Sequence, residues 1–150
     1  MTQSTTQLNS CDSVIKLDNG AGALADISGS TNSVSIERLV TVGDGIRTFG
    51  NDFKLRAACG KDAAIKCKCV YSGEDSEALF ILNDWYENSY KTARTFVVDI
   101  PSSDPGGDRY SFEVLLERLS FDDNAGEADP ILVEYDLKPT GSFTWSVIGS

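Results

Sequence analysis

The sequence predicts a mainly β fold, a β-sandwich or partly closed antiparallel barrel with one flanking α-helix. Three observations lead there. Stretches of alternating apolar and polar residues recur along the chain, as where Ile65, Cys67, Cys69 and Tyr71 alternate with Lys66 and Lys68. Turn-forming clusters separate these stretches, the strongest being residues 101–108, with two prolines, two glycines and two aspartates. Only one segment has a helical period: Leu79, Leu82, Trp85, Tyr86 and Tyr90 recur at three- and four-residue steps. That spacing predicts a helix over about residues 76–90, with Leu79, Leu82, Trp85 and Tyr86 as its packing face. The helix must lie against a sheet.

Taken in order, residues 1–12 read as a flexible arm rich in Thr, Gln, Ser and Asn, with Leu8 as its one large apolar side chain. Val14 to Leu17 is a short strand, Asp18-Asn19-Gly20 a hairpin-type turn, and the chain continues through Leu24 to Ile27. Ser33 to Arg38 alternates as a half-exposed strand. Residues 40–53 differ in character. Gly43, Gly45 and Gly50 with Asp44, Asn51 and Asp52 predict a long loop or hairpin tip, yet the segment also carries Val40, Val42, Ile46, Phe49 and Phe53. Either those side chains tuck beneath the loop, or they bury against another subunit.

Two strands are expected next, Lys54 to Ala58 and Ala63 to Tyr71, joined by a tight turn at residues 59–62. At the helix, Asp75 or Ser76 is a suitable cap, acidic residues precede it, and Lys91 and Arg94 follow its last turn, as the dipole favours. Thr95 to Ile100 is an apolar, β-branched strand that Pro101 stops. Tyr110 to Phe121 is a long strand whose alternation breaks, which predicts a bulge near Leu115 and Leu116. Residues 122–130 form an acidic loop, Ile131 to Lys138 alternates again, and Phe143, Trp145 and Val147 mark a last strand with a buried face. Eight or nine strands in one domain, residues 13–148, is the expected organisation.

The chain has 150 residues, enough for a real core, and a formal net charge of −10. Such acidity disfavours a surface that grips nucleic acid through its phosphates, and it suits one that nucleic acid must pass without sticking. No apolar run approaches membrane-spanning length, and the polar start MTQSTTQLNSCDS does not read as a secretory signal. Cys67 and Cys69 fall on the same face of one strand, a poor geometry for a mutual disulfide. With Cys11 and Cys59 distant in sequence and no histidine in the chain, reduced, buried, structural cysteines are expected and no metal. A reducing compartment follows.

The inventory for catalysis is thin. Lack of histidine removes the commonest general base and any Ser-His-Asp triad. Residues 42–45 lack the Gly-Lys-Ser ending of a phosphate loop, and residues 122–127 do not keep the ligand alternation of a calcium loop. Glu113 and Glu117 read as outward positions on a sheet rather than a glycosidase pair. Trp85 belongs to the buried helix stripe and Trp145 to the buried face of the last strand. No enzyme and no cofactor is expected.

The order of features resembles the tail tube (major tail) proteins of long-tailed bacteriophages with non-contractile tails. The resemblance rests on Asp26-Ile27-Ser28, residues 32–36, the Gly/Asp-rich loop reaching Thr48-Phe49-Gly50, and the acidic helix ending at Trp85-Tyr86. It continues with Arg94-Thr95-Phe96, residues 110–114 and residues 137–141. The resemblance implies a β-sandwich flanked by a helix, six copies per ring, and rings stacked into a tube through which phage DNA passes without specific binding. It implies further partners among the tail proteins (initiator, terminator, tape measure) and a place in the virion tail after synthesis in the host cytoplasm, with no membrane. Inter-subunit or inter-ring contacts would come from Val40, Val42, Ile46, Arg47, Phe49 and Phe53, from residues 1–12, and from residues 122–130. Candidate lumen carboxylates are Glu113, Glu117, Glu134 and Asp136. Two other readings remain open: a monomeric β-sandwich module binding carbohydrate or protein through exposed Trp or Tyr side chains, and a ring protein of a contractile tail or secretion tube.

Overall fold

The structure, a computed structural model, describes residues 13–50, 52–74, 77–100, 107–123 and 129–148. The predicted arm over residues 1–12, the cap candidates Asp75 and Ser76, most of the 101–108 turn cluster and the middle of the 122–130 loop lie outside the described residues. In chain order the elements are β1 (Val14–Asp18), β2 (Leu24–Asp26), β3 (Thr31–Val42), β4 (Ala58–Val70), α1 (Ala78–Asn88), β5 (Arg94–Ile100), β6 (Asp108–Phe121), β7 (Leu132–Pro139) and β8 (Thr144–Val147). All paired strands are antiparallel, in the order β2-β1-β5-β6-β7-β4-β3, and β8 pairs with β6 beside the end of β7.

The sheet has to curl. Its two edge strands, β2 and β3, are consecutive in sequence and joined only by residues 27–30. Six strand spacings laid flat measure about 29 Å at ~4.8 Å each. The five-residue step from Asp26 to Thr31 spans at most about 18 Å even fully extended. The edges therefore meet at this crossing, where Ile15 N–H donates to Ser28 Oγ at 2.8 Å and Thr31 Oγ1 donates to the Ile27 carbonyl at 2.7 Å. Away from it they separate around a groove of about 750 Å³ between β1, β5 and β6 on one side and β3 on the other. Arg38 spans that groove, its guanidinium 5.2 Å from the Tyr110 ring centre. The result is one sheet folded on itself and not closed.

Alternation gives the curled sheet a dry inner face. Across it run the register pairs Leu17–Phe96, Phe96–Phe112, Leu116–Leu137, Leu137–Ile65 and Ile65–Ile36. Helix α1 covers one end of this face with Ala78, Leu79, Ile81, Leu82 and Trp85 all buried. Burial of each large apolar side chain contributes about 1.5–3 kcal/mol. The first helical N–H, that of Ala78, donates to Ser30 Oγ at 3.2 Å, so the edge crossing supplies a cap that Glu77 does not. At the other end Trp85 Nε1 donates to the Thr92 carbonyl at 2.9 Å. Arg94, the first residue of β5, is buried with its guanidinium 5.2 Å from the Trp85 ring centre. It donates to Ser89 Oγ at 2.9 Å, and to Asp84 Oδ2 and the Asp18 carbonyl at longer range.

Several expectations are corrected. Residues 59–62 do not form a turn between two strands: β4 runs unbroken from Ala58. Gly60, at φ +83°, lies opposite the register irregularity between Val40 and Val42, and this pair of distortions absorbs the turn-like residues into one long hairpin. The helix is shorter than predicted, and Tyr86 and Tyr90 are exposed rather than packed. Tyr86 sits about 100° around the axis from Trp85, on the solvent side of the stripe. Trp145 points to the inner side opposite Tyr110, but at the open end of the sheet, where it stays 58% exposed. Tyr71 is likewise exposed and packs edge-on to Phe121. Cys67 and Cys69 are buried thiols, whereas Cys59 is exposed. The predicted bulge in β6 falls at Glu117, between the pairs Leu116–Leu137 and Arg118–Asp136.

Candidate functional site

Two surfaces hold the residues singled out from the sequence. The first is the distal half of the β3–β4 hairpin. β4 pairs with β7 only from Ile65 onward, so the hairpin beyond that point leaves the sheet as a two-stranded arm. Its pairing continues past the strands: Gly43 N–H donates to the Ala57 carbonyl at 3.0 Å, and Ile46 and Leu55 exchange backbone hydrogen bonds of 2.9 and 2.8 Å. Gly45 is required here, because at φ +87° a Cβ would stand 2.7 Å from the Leu55 carbonyl oxygen. The arm is apolar on its surface. Val40, Val42, Ile46, Phe49 and Phe53 are all exposed, Phe49 fully, and Arg47 beside them is exposed too. Leu39 and Leu55 extend the patch; flanking the loop in sequence, they carried the same apolar signal and were not singled out.

The second surface is the outer, wet face of the sheet. Register puts Lys16, Asp99, Arg109, Glu113, Lys68, Glu134, Asp136 and Lys138 on it together. The four candidate carboxylates divide. Glu134 and Asp136 share Arg118, which donates to Asp136 Oδ2 at 2.9 Å and to Glu134 Oε2 at 3.3 Å, while Lys68 Nζ lies 3.5 Å from Glu134. Glu113 accepts from the Thr95 hydroxyl across β5 and β6. Glu117 occupies the bulge and stands apart from that ladder. Arg109 forks onto Asp99 at 2.7 and 2.9 Å, and Lys138 pairs with Asp62 at 3.3 Å. The wall is thus a lattice of interleaved charges, which the sequence could not show because it depends on register.

The electrostatics follow from these contacts. Asp136, then Glu134, raises the pKa of the Arg118 guanidinium, and Asp99 does the same for Arg109. The Ala63 N–H and then Lys138 hold the Asp62 carboxyl below the usual carboxylate range. In the core, burial pushes the Cys67 thiol up to about 12 and Cys69 to about 11, so both stay protonated and inert at neutral pH. Among the described residues no three His, Cys, Asp or Glu side chains are grouped to hold a metal, and no helix is long and apolar enough to cross a membrane.

No protein-family model and no curated protein sequence matches the chain. Solved structures do. The fold is similar to a chain of the SPP1 tail tube (TM-score 0.73, 8% identity, 94% of this chain and 80% of that one). It is similar to a chain of the tail of an empty gene transfer agent particle, computed with C6 symmetry (TM-score 0.69, 16% identity, 93% and 99%). It is also similar to a chain of the PVC sheath–tube complex, an extracellular contractile injection system in its extended state (TM-score 0.66, 12% identity, 98% and 100%). At these identities the likeness is one of fold. The structural neighbours come from tail and tube assemblies.

Proposed function

We propose that the chain is a non-catalytic tail tube subunit, assembling as six-membered rings that stack into a conduit for phage DNA in a non-contractile virion tail. The observation that carries this reading is the apolar hairpin arm. Its Val40, Val42, Ile46 and Phe49 are left exposed by the described residues of the chain, and a neighbouring copy would bury them on assembly. The similarity of fold to chains from tail tubes supports it. The two faces of the molecule suggest the orientation. The outside of α1 exposes Phe80 and Tyr86, and Tyr90 just beyond it is exposed too, whereas the outer sheet face is charged, as a wall passed by DNA requires. That face would line the lumen, and residues 1–12 and 122–130 would add contacts between rings. Partners are other copies and the proteins that start, end and measure the tail; synthesis is in the host cytoplasm.

The fold is equally compatible with a ring protein of a contractile system, given the likeness to a chain from a sheath–tube complex. An exposed Trp145 at the mouth of the sheet, with exposed Tyr71, Tyr86 and Tyr90, favours a monomeric binding module. Negative-stain microscopy of the concentrated protein, beside its solution mass, separates these. Hollow rings or tubes with six-fold views are expected, and Phe49→Asp abolishes them while leaving the monomer folded. A strictly monomeric wild type that binds sugar or peptide through Trp145 would replace the tube reading.

A further inference from the structure

The outer sheet face carries cations as well as carboxylates, although the chain as a whole is acidic. Lys68 and Arg118 are both about half exposed, close enough to solvent for a passing phosphate to reach them. Each is already engaged. Arg118 spends its Nε on Asp136 at 2.9 Å, its Nη2 on Glu134 at 3.3 Å and its Nη1 on Ser120 Oγ at 2.6 Å, and Lys68 lies 3.5 Å from Glu134. The β6 bulge at Glu117 makes this possible. Were regular pairing continued from Leu116–Leu137, Glu117 would face Asp136 and Arg118 would fall on the inner face opposite Tyr135, away from both carboxylates.

We propose that Lys68 and Arg118 are the phosphate-contacting residues of the Glu134–Asp136 part of this face, and that Glu134 and Asp136 hold them occupied so that duplex DNA is touched and released rather than gripped. The proposal rests on this face lining the conduit. Its chemistry is competition for one fork: a guanidinium satisfied by two carboxylates offers little to a phosphate, and each cation freed adds a counterion-releasing contact. Repulsion alone would need bare carboxylates; here the two candidate carboxylates at this position are neutralised in place.

Binding of a short labelled DNA duplex, followed by fluorescence polarisation across a salt series, tests it on the full-length chain. The Glu134→Gln/Asp136→Asn variant should bind about tenfold tighter than wild type at low salt, with a salt slope steeper by about 0.9 for each freed cation. Adding Lys68→Gln and Arg118→Gln should return affinity and slope to the wild-type level. A control with the same charge change placed elsewhere, Glu74→Gln/Glu87→Gln, should change affinity far less. Equal tightening in that control, or no reversal by the added substitutions, would overturn the proposal. Thermal melts establish that each variant is folded. Microscopy of the wild type is read separately: lack of rings counts against the tube, and lack of a site-dependent affinity change counts against the compensated wall.

Discussion

The two ends of the long β4 strand obey the same alternation and meet opposite fates. From Ala63 to Cys69 every second side chain is fully covered, by α1 on one side and by β3 and β7 alongside. From Ala58 to Asp62, and in the β3 residues opposite, nearly everything is exposed. Composition does not explain this, since Val40, Val42, Ile46, Phe49 and Phe53 are as apolar as the core. What differs is the second layer. One end has a helix laid over it and the other, among the described residues, has none. The pattern of a strand decides which side chains share a face, and only tertiary structure decides whether that face is dry.

The sharpest way to break this comparison is to cut the same kind of side chain from each end. Trp85→Ala should cost about 3–5 kcal/mol in urea unfolding, the usual loss for a large buried aromatic. Phe49→Asp should stay within about 0.5 kcal/mol of wild type in the same titration and lose assembly instead. If Phe49→Asp unfolds the monomer, the arm belongs to the core and the contrast collapses. A smaller effect is expected from Arg94→Met, which removes the guanidinium joining Trp85, Ser89, Asp84 and the β1 turn. Because Asp84 is partly exposed and stays hydrated, about 1–3 kcal/mol is expected rather than the full cost of an orphaned buried charge.

The smallest effect is in pH. Asn88 first, then Arg94, holds the Asp84 carboxyl below its ordinary 3.8. A lowered folded pKa means that the stabilisation is complete above about pH 4 and is lost as pH falls through the folded value. Asp84→Asn should therefore flatten the fall of the urea midpoint below about pH 4, and leave the hairpin arm's assembly contacts untouched. An unchanged pH profile in this variant would mean that other carboxylates, such as Asp26 and Asp62, set the acid limit.

Where strands and helix would fall was largely legible, because period two and period 3.6 are local properties. Ile65, Cys67 and Cys69 alternate inward as read, and Leu79, Leu82 and Trp85 form the helix stripe. Trp145 continues its pattern correctly but projects past the layer that would cover it, and no local pattern reports where a layer ends; Tyr86 instead lies beside the stripe, on the solvent side of the helix. Residues 59–62 have turn composition, yet pairing with β3 holds them in a strand. The charge lattice was illegible for a related reason: Arg118 and Asp136 are 18 residues apart, and only a bulged register brings them face to face.

The four-residue crossing at Ile27–Ser30 also gives the molecule a mechanical polarity. At that end the two sheet edges are tied by the chain itself and by Ser28, Ser30 and Thr31 hydrogen bonds, one of which also starts the helix. At the far end they are bridged by the contact of Arg38 with Tyr110. A bending or twisting load on the sheet therefore meets a stiff seam and a compliant one. Strain collects at the compliant side, beside the root of the hairpin arm, and the helix-covered end moves as a block.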